Sequence, residues 1–123
     1  MRQLSFVVVD DTVFMRTSLK KMIEEVEHYK VIGEGTTGYD AIEQARVNHP
    51  DIMILDITMP VLDGIEAVKD IIKVSPNTKI IMASAMGQQS MVIDAIRMGA
   101  KDFVLKPLEK SRVLQAIRNV INT

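Results

Sequence analysis

Short apolar runs alternate with stretches of helical periodicity from one end of the chain to the other. Each short run is rich in β-branched and other apolar residues, as expected of a strand buried in a sheet. The predicted strands are residues 4–9, 29–34, 52–56, 79–83 and 102–105. The second has more polar positions and is predicted to be peripheral, whereas the third is apolar until it meets Asp56 and is predicted to be covered on both faces.

Helices are predicted after each strand, because apolar residues recur there at the spacing of one buried stripe. Thr37 is predicted to cap the second helix, which stops before His49 because a residue that precedes proline is pushed out of the helical region. Asp63 and Glu66 resemble a capping box at the start of the third helix, and Gly99 is predicted to end the fourth. The predicted inward positions are Met15, Leu19, Met22, Ile23, Val26, Ala41, Ile42, Ala45, Ile65, Val68, Ile71, Ile72, Val92, Ala95, Ile96, Val113, Leu114, Ile117, Val120 and Ile121.

This alternation predicts a single α/β domain that spans residues 1–123. Strands joined through helices by short connections form a parallel sheet with right-handed crossovers and helices on both faces. A length of 123 residues suits one domain with a substantial core. The sequence contains no linker, internal repeat or low-complexity run that would indicate a second domain.

Composition narrows the range of functions. Hydrophobic residues make up 47% of the chain and charged residues 25%, which is a globular rather than a disordered composition. The formal net charge of -1 provides no general field for nucleic acid or an anionic membrane, so neither direct nucleic-acid binding nor membrane insertion is expected. The absence of cysteine excludes disulfides, thiolate metal sites and a cysteine nucleophile, and it fits a cytoplasmic location. The nine methionines are interpreted mainly as packing material.

Polar residues stand where four of the predicted strands leave the core. Asp10 and Asp11 follow the first strand, Asp56 ends the third, Ser84 follows the fourth and Lys106 follows the fifth. Each of these residues alone is more commonly a turn or cap residue. In an open parallel sheet, however, ligands bind beyond the carboxyl ends of the strands. Polar residues gathered along that one edge therefore predict a site.

The residue types at this edge indicate phosphoryl transfer. Three close carboxylates resist ionising together, and a hard dication such as Mg²⁺, which prefers carboxylate, water and phosphate oxygens, removes that repulsion. Lys106 adds a compact positive charge, and Ser84 adds a hydroxyl that can donate to a phosphoryl oxygen. Asp56, surrounded by these groups, is the expected nucleophile, which would accept a phosphoryl group as an acyl phosphate.

Several short motifs occur in a fixed order along the chain. They are Asp10-Asp11, Asp56 with Met59-Pro60 and Gly64, Ser84-Ala85, and Lys106-Pro107. In this order they resemble the receiver domains of bacterial two-component response regulators, and the resemblance covers the whole chain. It is closest to the single-domain chemotaxis members found outside the enteric bacteria. The resemblance implies a flavodoxin-like, five-stranded, doubly wound parallel sheet in the strand order 2-1-3-4-5.

The resemblance also implies a role for each matched residue of the site. Asp56 would be the phosphorylated residue. Asp56 and Asp11 would bind Mg²⁺ directly together with the backbone carbonyl of Thr58, while Asp10 would act largely through a bound water. Lys106 would pair with Asp56 before phosphorylation and with the phosphoryl group afterwards.

A second set of implied roles concerns switching. Ser84 would follow the phosphoryl oxygen, Phe103 would swing inward into the vacated space, and the small Ala85 would leave room for that movement. Phe103 has no hydroxyl, so a phenolic hydrogen bond cannot contribute. Met86 would flank the site, although a core methionine is the more ordinary interpretation. The Lys106–Pro107 bond is expected to be cis.

The implied function is a phosphorylation-dependent switch rather than a conventional enzyme. A histidine kinase, of the CheA type in chemotaxis, would supply the phosphoryl group, and the domain would catalyse its own phosphorylation and dephosphorylation. The switch would change the affinity of the face formed by the fourth helix, fifth strand and fifth helix for a target. That target would be the flagellar motor switch protein, and a phosphatase is a further possible partner. A receiver of another two-component pathway, alone or cut from a longer regulator, is the alternative.

Three other classes of protein remain open on the residues alone. A phosphohydrolase of the haloacid dehalogenase type also uses an Asp nucleophile after a strand, but it needs a second acid where this chain has Thr58. A flavodoxin-like electron carrier would want a hydroxyl- and glycine-rich loop in place of Asp10-Asp11. A receiver-like interaction module that is never phosphorylated is opposed by the presence of Asp11, Asp56 and Lys106.

Overall fold

The computed structural model describes residues 2–122, and it contains the predicted alternation of strands and helices. The elements in chain order are β1 (Leu4–Val9), α1 (Val13–Glu24), β2 (Tyr29–Gly35), α2 (Gly38–Asn48), β3 (Ile52–Asp56), α3 (Gly64–Val74), β4 (Lys79–Ser84), α4 (Gln89–Met98), β5 (Asp102–Leu105) and α5 (Lys110–Ile121). The strands form one parallel sheet in the order β2-β1-β3-β4-β5, which confirms the expected topology. Met1 and Thr123, the ends of the predicted domain, lie outside the described residues.

Two apolar cores lie on opposite faces of the sheet, because successive residues of a strand point to opposite sides. Val7 and Met53 pack with α2, α3 and α4 on one face. Phe6 and Ile54 pack with α1 and α5 on the other. β3 lies in the middle of the sheet and is buried along its whole length, so it is a rigid support for the residue at its end.

The helix ends follow the local chemistry of the sequence. The side chain of Thr37 accepts a hydrogen bond from the amide of Asp40 at the start of α2, and that of Asp63 accepts one from Glu66 at the start of α3. These contacts confirm both predicted caps. α2 ends at Asn48, and His49 follows it in the left-handed conformation, directly before Pro50.

The predicted burial of Ile96 is wrong. α4 buries only Val92 and Ala95, and Ile96 is 44% exposed. The edge strand β5 beside this helix is only four residues long. Ile93 and Ile96 therefore line an open groove with Phe103 instead of entering the core. Ile121, the last residue of α5, is also exposed and lines a surface cavity near the other end of the sheet.

The methionines do not all serve as packing material. Met53, Met59 and Met82 are buried, but Met86 is 81% exposed and Met98 is also exposed. The interpretation of Met86 as a core residue is therefore wrong, because it lies in the loop that follows β4. Within residues 2–122, no helix combines the length and the apolar character needed to cross a membrane.

Candidate functional site

The carboxyl edge of the sheet brings the candidate site residues together. Asp10 and Asp11 follow β1, Asp56 is the last residue of β3, Ser84 is the last residue of β4, and Lys106 follows β5. Carboxylate oxygens of the three aspartates lie within 4.8 Å of one another. Asp10, Asp56 and Ser84 are buried, whereas Asp11 is exposed. The result is an acidic cluster with one side open to solvent.

Lys106 is the cation of this cluster. Its Nζ lies 3.1 Å from Asp56 Oδ1 and donates to Asp10 Oδ2 at 3.0 Å. The lysine side chain is 24% exposed, so both ion pairs are partly shielded from water. The ammonium therefore holds the ends of β1 and β3 together from the side of β5.

The position of Asp10 is determined by further contacts. Its Oδ1 accepts hydrogen bonds from the amide and the hydroxyl of Thr12, at 3.0 and 3.1 Å. Arg16 donates to the backbone carbonyl of Asp10 at 2.8 Å and forms an ion pair with Glu34 at 3.0 Å. Neither Thr12 nor Arg16 was predicted from the sequence as a support of the site. A Thr two residues after an Asp is a recognisable turn and cap signal, and it could have identified Thr12.

Burial and crowding alter the acid–base properties of the cluster. Burial raises the pKa of Asp56 to about 6; the charge of Lys106 opposes this rise, and the carboxylates of Asp10 and Asp11 add to it. Burial disfavours the charged form of Lys106, but its hydrogen bonds and its attraction to Asp10 and Asp56 outweigh that effect and raise its pKa. One ammonium therefore does not compensate fully for the negative charge that surrounds Asp56.

The acidic cluster could hold a metal ion. Asp10, Asp11 and Asp56 supply only oxygen ligands, which is the donor set of hard divalent cations. Burial, with a smaller contribution from the neighbouring carboxylates, raises the pKa of Asp56 and disfavours its ionised form, which further positive charge would favour. A cation bound there would supply that charge, so the residues fit the group that the sequence predicted.

Gly64 allows α3 to begin directly against the end of β3. A Cβ at this position would lie 2.2 Å from the backbone oxygen of Asp56 and 3.2 Å from Cα of Ile57. The amide of Gly64 donates to the carbonyl of Ile57 at 2.8 Å. The absence of a side chain thus lets α3 approach the backbone of Asp56 closely, and this is a physical reason for the glycine in the motif.

The loop after β4 forms the other wall of the site. The hydroxyl of Ser84 is buried and has no hydrogen-bond partner among the described residues. Ala85 and Met86 are exposed and, with the half-buried Phe103, line an apolar groove of about 300 Å³ between α4 and β5. The Lys106–Pro107 peptide bond beyond β5 is cis, as expected.

Thr58 lies on the exposed loop after β3, two residues beyond Asp56. Its hydroxyl accepts a hydrogen bond of 2.7 Å from the side-chain amide of Gln88. The carbonyl of the same side chain accepts a hydrogen bond of 2.7 Å from the backbone amide of Ala85. Gln88 thus links the loops after β3 and β4, and the sequence analysis did not identify it.

Comparison with known proteins gives a consistent result. The family model described as the response regulator receiver domain matches residues 6–118. The chain is 52% identical over 113 residues to the chemotaxis protein CheY of Thermotoga maritima, which covers 92% of this chain and 93% of the relative. It superposes on the response regulator domain of Thermotoga maritima CheB with a TM-score of 0.91 at 37% identity, covering 99% and 98% of the two chains.

A further structural relative comes from the CheX-CheY-BeF3-Mg²⁺ complex of Borrelia burgdorferi. The TM-score is 0.89 at 35% identity, with 98% of this chain and 90% of that chain covered. The family match and the high identity over nearly the full length agree with the topology of the sheet and with the residues at its edge. This chain belongs to the response regulator receiver domain family.

Proposed function

We propose that this chain is the phosphorylation-dependent switch of a chemotaxis two-component system, and that Asp56 accepts the phosphoryl group. The observation that carries the proposal is the setting of Asp56, which ends a fully buried strand 3.1 Å from Lys106 and beside two further carboxylates. Its relatives support the chemotaxis assignment, since the 52% identical protein is a chemotaxis protein. Family membership argues against the phosphohydrolase and the flavodoxin-like alternatives.

In the proposed reaction, a carboxylate oxygen of Asp56 attacks the phosphorus of a phosphohistidine on a partner histidine kinase. An O–P bond forms, the N–P bond breaks, and the electron pair of that bond remains on the histidine nitrogen. Lys106, already paired with Asp56, is placed to stabilise negative charge on the transferring group. The domain thereby catalyses its own phosphorylation, and water reverses the modification by attack on the acyl phosphate.

Mg²⁺ is the metal that we propose for the acidic cluster. Asp11, Asp56 and the backbone carbonyl of Thr58 would hold it, and Asp10, already bonded to Lys106 and Thr12, would act through water. Bound there, Mg²⁺ would supply positive charge to the phosphoryl oxygens. The Borrelia relative described with BeF3 and Mg²⁺ supports the choice of Mg²⁺.

Switching would use the hydroxyl of Ser84, for which the described part of the chain offers no hydrogen-bond partner. A phosphoryl group on Asp56 adds acceptor oxygens beside it, so the hydroxyl gains a partner by moving toward them. Ala85 is small enough to permit the movement, and Phe103, which lines the adjacent groove, would turn inward. The exposed groove of α4 and β5 would then change its affinity for a target.

The partners follow from this assignment. They are a histidine kinase of the CheA type, a flagellar motor switch protein as the target and, in addition, a phosphatase. We place the protein in the cytoplasm and treat residues 1–123 as one receiver domain.

The test is phosphorylation by acetyl phosphate in the presence of Mg²⁺, followed by the intact mass. The wild-type chain should gain the mass of one phosphoryl group, and EDTA should prevent the gain. Asp56→Asn should gain nothing, whereas the control Asp51→Asn, at the other end of β3, should be phosphorylated as the wild type is. An unmodified wild type, or undiminished labelling of Asp56→Asn, would contradict the proposal.

A further inference from the structure

The side chain of Gln88 spans the gap between the two loops that border Asp56. Its carbonyl oxygen accepts from the amide of Ala85 at 2.7 Å, and its NH₂ group donates to the hydroxyl of Thr58 at 2.7 Å. A backbone N–H can only donate, so the contact with Ala85 fixes which end of the carboxamide is the oxygen. The NH₂ group must then be the end that faces Thr58. Both the oxygen and the nitrogen of the Gln88 side chain are therefore engaged in hydrogen bonds.

This bridge continues the pairing of β3 with β4 past the point where the strands separate. Asp56 pairs with Ala83 in the parallel register, and the amide of Ile57 donates to the carbonyl of Ala83 at 3.1 Å. Beyond that bond the chains diverge into two loops, and the Gln88 side chain supplies the next connection between them. The segment that it restrains begins directly after Ser84.

Two hydrogen-bond donors lie where β4 meets the restrained segment, namely the hydroxyl of Ser84 and the amide of Ala85. The buried hydroxyl of Ser84 has no hydrogen-bond partner within residues 2–122, while the neighbouring amide of Ala85 already donates to Gln88. Oxygens of a phosphoryl group on Asp56 would need donors from this segment. For the amide of Ala85 to donate to one of these oxygens, its hydrogen bond to Gln88 must be released.

We propose that Gln88 is a positioning residue that bridges Thr58 and Ala85 and thereby holds the β4–α4 loop in its unphosphorylated arrangement. The inference rests on the proposed function. It states that the loop must break the hydrogen bonds of Gln88, at a cost in free energy, when it responds to modification of Asp56. Gln88 opposes the phosphorylated arrangement through hydrogen bonds alone, since its neutral carboxamide adds no charge to the acidic cluster.

The affinity of the chain for a phosphoryl analogue measures the free energy that is needed to break the hydrogen bonds of Gln88. Beryllium fluoride is titrated into the full chain at saturating Mg²⁺, and binding is followed by amide NMR, with the Ala85 amide as the local signal. Gln88→Ala should bind the analogue about 5-fold more tightly than the wild type, which corresponds to the loss of one net hydrogen bond. The matched control is Gln89→Ala, which removes the same side chain from the adjacent exposed position and should leave the affinity unchanged.

Thr58→Val tests the same bridge from its other end. This variant removes the acceptor hydroxyl while keeping the shape of the side chain, so it should also tighten binding. Because both substitutions break one bridge, the double variant should bind no more tightly than Gln88→Ala alone. The affinity of Gln88→Ala for Mg²⁺ in the absence of the analogue should equal that of the wild type, whereas general damage to the site would weaken it.

The outcomes separate the two proposals. A wild type that binds no beryllium fluoride would overturn both the proposed function and the role of Gln88. A wild type that binds it, with Gln88→Ala binding equally or more weakly, would overturn only the role of Gln88. Fully additive effects of Gln88→Ala and Thr58→Val would also overturn the bridge.

Discussion

Two aspartates lie at opposite ends of β3 and have opposite surroundings. Asp51, just before the strand, accepts hydrogen bonds from the amide and hydroxyl of Ser5 at 2.8 and 3.1 Å and from Arg2 at 3.1 Å. Burial alone would raise the pKa of Asp51, but these contacts outweigh it and lower the pKa. Asp56, at the other end, shares one lysine with Asp10, and burial raises its pKa to about 6.

The difference separates a carboxylate that stabilises the fold from the one that we propose as the phosphoacceptor. The charge of Asp51 is satisfied by donors from the start of β1, so this residue joins two strands and needs nothing more. The charge of Asp56 is crowded by Asp10 and Asp11, so a bound cation would reduce the repulsion among these carboxylates. The same strand is thus flanked at one end by a stabilising carboxylate, Asp51, and ends at the other with the candidate phosphoacceptor, Asp56.

The largest effect that we expect on stability is that of Mg²⁺. At a concentration 100 times its Kd, a ligand that binds only the folded state stabilises it by about 2.7 kcal/mol. Chemical denaturation with and without Mg²⁺ should show this gain in the wild type. Asp11→Asn should lose most of it, whereas Asp51→Ala should retain it. A gain that survives in Asp11→Asn would place the metal elsewhere.

We expect Asp51→Ala to have a smaller effect on the free energy of unfolding. Removing this carboxylate leaves the donors of Ser5 without their acceptor and should lower the free energy of unfolding by about 2 kcal/mol at neutral pH. Because the pKa of Asp51 in the folded state lies below its ordinary value of 3.8, the ionised group stabilises the fold above that pH. The cost of the substitution should therefore shrink as the pH falls below about 4. Urea denaturation at two pH values measures it, and an equal cost at both would contradict the assigned cause.

Asp56→Asn should have the smallest effect, and the opposite sign. The pKa of Asp56 is about 6 in the fold against an ordinary value of 3.8, so the ionised carboxylate destabilises the fold above about pH 6. Without Mg²⁺, the substitution should raise the free energy of unfolding by about 1 kcal/mol at neutral pH, a value below the full shift because relaxation of the surrounding groups reduces the cost of a buried charge. The gain should fade as the pH falls from about 6 to about 4. Destabilisation by Asp56→Asn at neutral pH would contradict this account, because it would show that the surroundings of Asp56 stabilise its ionised carboxylate.

The gathering of charged side chains at the carboxyl end of β3 could be predicted from the sequence because its signals are local. An unbroken apolar run that stops at Asp56 identifies a buried strand, and the geometry of parallel sheets brings the ends of neighbouring strands to one edge. Asp10, Asp11 and Lys106 follow from the same rule, since each comes directly after a strand. The caps Thr37 and Asp63 were predictable because they act within one helical turn.

Long-range packing accounts for what the sequence analysis missed. Helical spacing identified the apolar stripe of α4, but it could not reveal that Ile96 would face a groove beside a short edge strand. The partner of Gln88 lies 30 residues away in another loop, and nothing in the local pattern selects it. Arg16 likewise reaches Glu34 only because β1 and β2 are adjacent.

Locating the phosphoryl group is the most direct test of the central claim. Borohydride reduces an aspartyl phosphate to homoserine, so phosphorylated wild-type protein can be reduced, digested and mapped by peptide mass spectrometry. We predict homoserine at position 56 only, with the satisfied carboxylate of Asp51 unchanged. Homoserine at position 51, 10 or 11, or none at position 56, would contradict the assignment of Asp56 as the phosphoacceptor.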